Sequence, residues 1–257
     1  MNTDNNRKEW QEQIEALAGM EQFKALMTEW MSVFPVLEKT NNFNLFMNRV
    51  YLFSIADGEG FSKQLKLMAK AVAFSGMNGP VMAEREVNMP YIEATERSKK
   101  NATPASLAIE SLRDQGMLSD GVPTLLGIDI REWIGRTGSS HFRLVLEYIF
   151  EHLSGPFVFR VPLMDEKYLR QIEEDIADVR NVSTVVTHET TIESYLQYAD
   201  ILAKRNGAVI AEDAKEALAK CLVEEKNQGN LNGYATVKKI FNEILYLKIL
   251  QMGKEYV

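Results

Sequence analysis

Short apolar runs alternate with longer segments of helical periodicity through the middle of this 257-residue chain. Buried strands are predicted where these runs are rich in β-branched and aromatic residues, at 50–55, 122–130, 157–161 and 182–187, with a weaker strand near 81–87. Helical patterns separate the strands. Because parallel strands need long crossover connections, this alternation predicts a three-layer α/β fold built on a parallel sheet.

Helical segments without strands flank this alternation on both sides. Before it, apolar spacings of three, four and seven predict amphipathic helix from about Trp10 to Leu37, interrupted at Gly19 and closed by Pro35. After it, three helices are expected, at about 192–206, 211–225 and 235–251. The predicted organisation is an N-terminal helical segment at 1–48, an α/β core at 49–188 and an all-helical C-terminal domain at 189–257.

A glycine-rich turn joins the first strand to the helix that follows it. The residues after Ile55 are Ala-Asp-Gly-Glu-Gly-Phe-Ser, numbered 56–62, and strong helix formers begin at Lys63. A strand, a glycine-rich turn and a helix together present backbone amides to a phosphate group. Gly58 and Gly60 also suit an ordinary tight turn, so a phosphate site and a purely structural turn both stay open.

The order of these features resembles the AAA+ ATPase fold over nearly the whole chain. Leu17–Lys24 is similar to the leading motif of that family, in which a Gly-hydrophobic-Glu step opens a helix beside the adenine pocket. Asn232–Lys238 is similar to a lid motif of the branch that contains sporulation stage V protein K and the rubisco-activase-like proteins. The resemblance implies a P-loop NTPase-like core with a helical lid, and ATP or ADP with magnesium in the cleft between them.

The phosphate loop departs from the family pattern G-x-x-x-x-G-K-[ST]. Gly58 and Gly60 are retained and Ser62 matches the hydroxyl position, but Phe61 stands where the pattern has Lys. Lys63 comes two positions later, and two residues of helix turn its side chain about 200° from the Lys position. The loop has therefore lost the cation that the pattern uses on the β and γ phosphates.

Two acidic residues of the same loop also oppose a phosphate. Asp57 and Glu59 place carboxylates beside the backbone amides, where they repel a bound anion. By position alone, the resemblance assigns nucleotide contacts to Gly19, Gly58, Glu59, Gly60, Phe61, Ser62 and Lys63.

The other catalytic positions of the family are altered as well. Asp129 matches the first acid of the second nucleotide motif and, with Ser62, would hold magnesium if a magnesium nucleotide binds; it also suits a helix cap. Ile130 replaces the Glu that polarises the attacking water. Residues 160–162 offer no Asn or Thr to orient that water, and Ala235 replaces a nucleotide-sensing Arg. These losses predict that the chain does not hydrolyse ATP efficiently.

One family feature is retained in position. Arg180 precedes the last strand, where the family has an Arg that reaches into the neighbouring subunit's site. The resemblance therefore implies a trans-acting arginine, whereas an ordinary solvated arginine is the alternative.

Composition narrows the classes of partner. Lys and Arg total 29 against 36 Asp and Glu, a formal charge of −7, so we expect no generic nucleic-acid binding. No apolar run is long enough to span a membrane and the first residues lack the core of a signal peptide, so a cytoplasmic location is expected. A single Cys221 and three histidines predict neither a disulfide nor a zinc site.

Three functional hypotheses follow. The leading one is a degenerate AAA+-like pseudo-ATPase that acts as a regulatory or scaffolding subunit in a homo- or hetero-oligomeric protein assembly, with an active AAA+ partner or with itself. The second is a weak ATP-binding ATPase of the chaperone-like, remodelling kind. The third is a monomeric adaptor.

Overall fold

The computed structural model describes residues 3–75, 83–93, 101–117, 124–153 and 155–255. Its strands are β1 Val50–Ser54, β2 Ala83–Asn88, β3 Thr124–Asp129, β4 Phe157–Val161 and β5 Val182–Val186. Its α-helices are α1 Thr3–Glu15, α2 Glu21–Thr40, α3 Phe43–Met47, α4 Phe61–Phe74, α5 Pro104–Asp114, α6 Ser140–His152, α7 Glu166–Ala177, α8 Ile192–Arg205, α9 Glu212–Asn227 and α10 Gly233–Glu255. The parts of the predicted strands at 81–82 and 122–123 lie outside the described residues.

The five strands form one parallel sheet in the order β2-β3-β4-β1-β5. The central strand β1 pairs with β4 on one side and β5 on the other, so that Tyr51 lies opposite both Val158 and Ser183. All five residues of β1 are buried. A strand covered on both faces is continuously apolar instead of alternating, which explains the run Val-Tyr-Leu-Phe in its sequence.

Helices cover both faces of the sheet. On one face α1, α2 and α4 pack against alternate β1 residues such as Tyr51 and Phe53, in a cluster that includes Trp30 and Met68. On the other face α5, α6 and α7 pack against Val50 and Leu52 and the matching residues of β3 and β4. The three-layer α/β class predicted from the alternation is therefore confirmed.

The direction of the crossovers places a crevice beside β1. The chain leaves β1 through α4 on one face, whereas it leaves β4 through α7 on the other face. In open parallel sheets, neighbouring strands whose crossovers take opposite faces leave a crevice outside their carboxyl ends, and ligands bind there. The carboxyl ends of β1 and β4 are therefore the first place to look for a functional site.

Helix α2 is longer than the sequence predicts. Pro35 lies inside it and the helix continues to Thr40, so the expectation that Pro35 closes the segment is wrong. Proline removes one backbone hydrogen bond, but Phe34 and Leu37 on either side of it are buried in the core. Tertiary packing of these side chains offsets the lost bond. By contrast, α5 begins at a purely local signal, since Thr103 and Ser106 form a reciprocal capping box.

The C-terminal helices form their own apolar cluster, which also reaches the N-terminal segment. Tyr195, Leu218 and Val237 from α8, α9 and α10 pack together with Ala18.

Within the described ranges, no helix is both long and apolar enough to traverse a bilayer.

Candidate functional site

Charged side chains meet at the carboxyl ends of β1, β3 and β4. Asp57 follows β1, Asp129 ends β3 and Arg160 is the fourth residue of β4. Arg131 begins a short 3-10 helix, Arg131–Trp133, directly after β3. Because the strands are parallel, their carboxyl ends share one edge, and these four residues form a single group that we call the Asp–Arg cluster.

Two arginines bridge two aspartates in this cluster. Arg131 Nη2 lies 2.9 Å from Asp57 Oδ1 and 2.7 Å from Asp129 Oδ2. Arg160 pairs with Asp57 and its Nη1 lies 3.7 Å from Asp129 Oδ2. Two positive and two negative groups therefore balance one another in the crevice, and the Asp57 carboxylate is held by both guanidinium groups.

The members of the cluster differ in burial. The side chains of Asp129 and Arg160 are 11% and 12% exposed, whereas that of Asp57 is 64% exposed. Hydrogen bonding from Arg131 lowers the pKa of the Asp57 carboxyl, with a smaller contribution from the Arg160 charge. Asp57 is thus the outer anion of the cluster and stays ionised over the physiological pH range.

Asp57→Asn is expected to lower the melting temperature by about 1–3 °C at pH 7, a small effect because the pair is solvent-exposed. The pKa of the Asp57 carboxyl is lowered in the folded state. The ionised carboxylate therefore stabilises the fold fully above the unfolded-state pKa of about 3.9, and this stabilisation is lost as the pH falls through the lowered folded-state pKa. Thermal melts from pH 7 to pH 3 should therefore show the two proteins converging at the acid end. Glu147→Gln, which removes an exposed pair with Arg143, is the control and should change the melting temperature less. A difference that persists unchanged at pH 3 would contradict the ionic assignment.

The glycine-rich turn lies directly under the C-terminal helical domain. Gly58 has φ +79°, and a Cβ built on it would overlap the backbone carbonyl of Asn232. The backbone N–H of Tyr234 donates to the Gly58 carbonyl oxygen at 3.1 Å. Gly60, with φ +82°, is the residue before the first turn of α4. Gly58 is therefore required for the close approach of two backbones, in addition to its turn geometry.

Glu59 points toward the helical domain. Its side chain is buried, the Tyr195 hydroxyl donates to Oε1, and Thr190 Oγ1 donates to Oε2 at 2.5 Å. Burial, followed by the hydrogen bond and charge of Glu59, raises the pKa of the Tyr195 hydroxyl, so it remains a donor. We call this arrangement the Glu59 latch, because it joins the turn to the start of α8.

Phe61, Ser62 and Lys63, the other predicted nucleotide contacts of the turn, take no part in the Glu59 latch. Phe61 is buried against Phe53, with ring centroids 5.9 Å apart, and the Arg160 guanidinium lies 5.3 Å from its ring centroid. Ser62 and Lys63 are exposed on the first turn of α4. Partial desolvation, and then the charges of nearby lysines and an arginine, lower the pKa of the Lys63 ammonium.

A small cavity lies beside Gly19, between the N-terminal segment and the helical domain. It measures about 160 Å³ and is lined mainly by residues 19–22 and 187–191, together with Glu59. Gly19 has φ +64°, and the adjacent Ala18 carbonyl accepts a hydrogen bond from the Tyr234 hydroxyl at 2.6 Å. Burial raises the pKa of Tyr234 to about 12. Pockets that hold drug-sized ligands usually measure about 300–1,000 Å³, so this cavity is smaller than a nucleotide site.

The remaining sequence candidates are engaged within the chain. Arg180 Nη1 donates to Asn48 Oδ1 at 2.7 Å, and its guanidinium lies 4.9 Å from the Phe150 ring centroid. Ile130 is fully buried. Both contacts of Arg180 are therefore made within its own chain.

The magnesium ligands implied by the resemblance do not fit that ion here. Asp129 already accepts hydrogen bonds from the backbone N–H and the guanidinium of Arg131, so a cation would have to displace a cation. Ser62 is exposed on α4. Across the described ranges, no group of three or more His, Cys, Asp and Glu side chains is arranged to hold a metal ion.

Several contacts of the candidate site were not predicted from the sequence. Arg131 was not a candidate, nor were Thr190 and Tyr195, the donors to Glu59. The Asp–Arg cluster had a detectable pattern, because Asp129 and Arg160 end neighbouring predicted strands and parallel strands bring their ends together. No sequence pattern pointed to the Glu59 latch, because Thr190 and Tyr195, which donate to Glu59, are more than 130 residues away from it in the chain.

Fold and site together define a parallel three-layer α/β protein with a glycine-rich turn at the sheet crevice and a helical domain closed over that turn. No family model matches the chain. No curated protein matches it either.

Solved structures are similar to the chain at low identity. A replication initiator DnaA bound to AMPPCP and single-stranded DNA is 9% identical over 77% of this chain and 55% of that one, with a TM-score of 0.40. PCH-2 of C. elegans is 14% identical over 74% of this chain and 49% of that one, with a TM-score of 0.41. Domain III of DnaA from Thermotoga maritima is 10% identical over 88% and 96%, with a TM-score of 0.36. This chain spans about half the length of the first two proteins.

Proposed function

We propose that this chain is an AAA+-like pseudo-ATPase, which serves a protein assembly as a regulatory or scaffolding subunit and does not turn over ATP. The observation that supports this most is the Asp–Arg cluster. Two guanidinium groups stand at the sheet crevice, where the resemblance implies a phosphate, and a carboxylate of the same chain is bound to both. In the proposal, Asp57 takes the place of that phosphate.

The helical domain supports the same conclusion. The Glu59 latch and the contact of Gly58 with Asn232 hold the helical domain against the turn whose amides a phosphate would need. In addition, Phe61 is buried and supplies no cation. With the crevice closed in this way, the proposed role depends on contacts between the protein surface and other proteins. Arg180 could then act in trans only after releasing Asn48, so we keep that role outside the main proposal.

The weak-ATPase hypothesis is the second candidate, and nucleotide binding separates the two. For the wild-type chain we expect no heat by titration calorimetry and no thermal shift with ATP, ADP or pyrophosphate, with and without Mg²⁺, up to about 1 mM, because Asp57 already occupies both arginines. Asp57→Asn leaves two guanidinium groups against the single Asp129 charge, a net excess of one positive charge. This variant should therefore gain pyrophosphate binding and a measurable thermal shift.

Glu147→Gln is the matched control, since it also removes one negative charge but lies at a distant exposed pair. Micromolar binding of ATP by the wild type, or steady turnover that is lost in Asp129→Ala, would overturn the proposal and support the ATPase. Pyrophosphate binding that is equal in Asp57→Asn and Glu147→Gln would show that Asp57 is not the stand-in anion.

A further inference from the structure

The two edges of the sheet differ in how they are protected against pairing with another strand. At the β2 edge, three consecutive charged residues lie along the strand, at 84–86. The Gln115 side-chain amide also bonds both the backbone N–H and the carbonyl of Asn88 at that edge. At the opposite edge, β5 reads Val-Ser-Thr-Val-Val, with four β-branched residues, no charge and no proline. Because charges and covered backbone groups are what prevent edge strands from pairing, β5 is the open edge.

The outer backbone groups of β5 can be identified from its pairing with β1. The Thr187 N–H, directly after β5, donates to the Ser54 carbonyl of β1. Along a parallel strand every second residue bonds the same neighbour, so the residues between them direct their N–H and C=O groups outward. These residues are Val182, Thr184 and Val186, and no described residue bonds their outward groups.

The same edge is open on its surface and holds an unsatisfied hydroxyl. Four of the five residues of β5 are partly exposed, whereas all five of β1 are buried. The Thr184 hydroxyl oxygen is buried, and among the described residues it has no hydrogen-bond partner. Six backbone groups and one hydroxyl therefore lack protein partners at this edge, and an added strand can supply them.

The spacing of these groups suits a second copy of β5. In a two-fold antiparallel pair centred on Thr184, Val182 of each copy lies opposite Val186 of the other, and all six outward groups of each strand are bonded. The two Thr184 side chains meet at the axis, where threonines on neighbouring strands hydrogen-bond to each other. Because β5 carries no charge, the two copies do not repel each other along this line.

The β2 edge of a second copy fits β5 less well. It would bring the charges at 84–86 against an uncharged strand, and its Asn88 backbone is already bonded. Such a head-to-tail contact would also leave an open β5 edge at the end of every assembly, whereas β5 against β5 covers the open edge of both copies. We propose that two copies of this chain form a homodimer through antiparallel pairing of their β5 strands, which joins the two five-stranded sheets into one.

A proline at an outward position tests this proposal. Thr184→Pro removes an outward N–H and keeps the N–H groups that bond β1, so the single chain still folds. Light scattering after size exclusion at micromolar concentrations should give twice the 29.2 kDa chain mass for the wild type and the single chain mass for Thr184→Pro. Glu86→Pro is the matched control and should remain dimeric. Residue 86 also faces outward, because the Met89 N–H bonds the Asp129 carbonyl and every second residue before it faces β3.

Amide hydrogen exchange of the wild type gives a second test that needs no variant. The N–H groups of Val182, Thr184 and Val186 are bonded across the proposed dimer, so they should exchange at least about tenfold more slowly than the outward N–H of Glu86.

Three results would overturn the homodimer. The first is a wild-type chain that is monomeric at micromolar concentrations, and the second is exchange of the outward β5 amides as fast as that of Glu86. The third is protection of these amides only when another protein is added, which would assign the β5 edge to a strand of that protein.

Discussion

Gly58→Ala is expected to lower the free energy of unfolding by about 3 kcal/mol, the largest effect of any single substitution in the glycine-rich turn. The backbone at Gly58 has φ +79°, which costs an alanine about 1 kcal/mol by itself. The added Cβ also overlaps the main-chain carbonyl of Asn232, which cannot rotate away as a side chain could. The helical domain must therefore shift and lose the hydrogen bond from the Tyr234 N–H.

Gly207→Ala is the matched control for this result. Gly207 has φ +67°, but nothing lies within 4 Å of a Cβ built there. Urea denaturation should give Gly207→Ala a loss of about 1 kcal/mol in the free energy of unfolding. The additional loss in Gly58→Ala then measures the energy of the backbone contact between the turn and the helical domain. Equal losses in the two variants would mean that the contact contributes nothing.

Glu59→Ala is expected to cost about 2–3 kcal/mol of unfolding free energy, because it leaves the hydroxyls of Tyr195 and Thr190 without their shared acceptor in a buried setting. Tyr195→Phe should cost about 1–2 kcal/mol in the wild type but almost nothing in the Glu59→Ala background. The difference between these two values, measured by denaturation of all four proteins, is the coupling energy of the latch.

An exposed ion pair in the same region provides the control for the latch. Glu189 pairs with Lys226 at 2.8 Å, and its side chain is 71% exposed. Glu189→Ala should therefore change stability by no more than about 0.5 kcal/mol. A loss in Glu189→Ala as large as that in Glu59→Ala would show that burial of the carboxylate is not what stabilises the closed form.

These contacts bear on the proposed function as well as on stability. In the proposal, the Glu59 latch and Gly58 keep the helical domain closed, while the Asp–Arg cluster replaces a bound phosphate. Amide hydrogen exchange should accordingly increase at residues 187–195 in both Gly58→Ala and Glu59→Ala, because a released domain exposes that segment. Asp57→Asn changes the anion site alone and should leave this exchange almost unchanged.

Local pattern was sufficient to predict most of the elements. The predicted strand at 157–161 coincides with β4, and the predicted helix at 192–206 ends within one residue of α8, since the periodicity of apolar residues is a local signal. Prediction was wrong where a long-range contact outweighed a local preference. Pro35 should end a helix, yet the buried side chains around it keep α2 helical to Thr40.

By itself, the sequence determined the parallel three-layer fold, the position of the glycine-rich turn after β1 and the lack of a cation at Phe61. Those properties depend on residue type and spacing over one or two elements. Only the tertiary structure decided what the acidic residues of the turn do. Asp57 and Glu59 were predicted to repel a phosphate, whereas the fold pairs Asp57 with Arg131 and Arg160 and places Glu59 under Tyr195. The energy of a carboxylate depends on which charges and donors surround it, and here the chain brings them from 74 to 136 residues away.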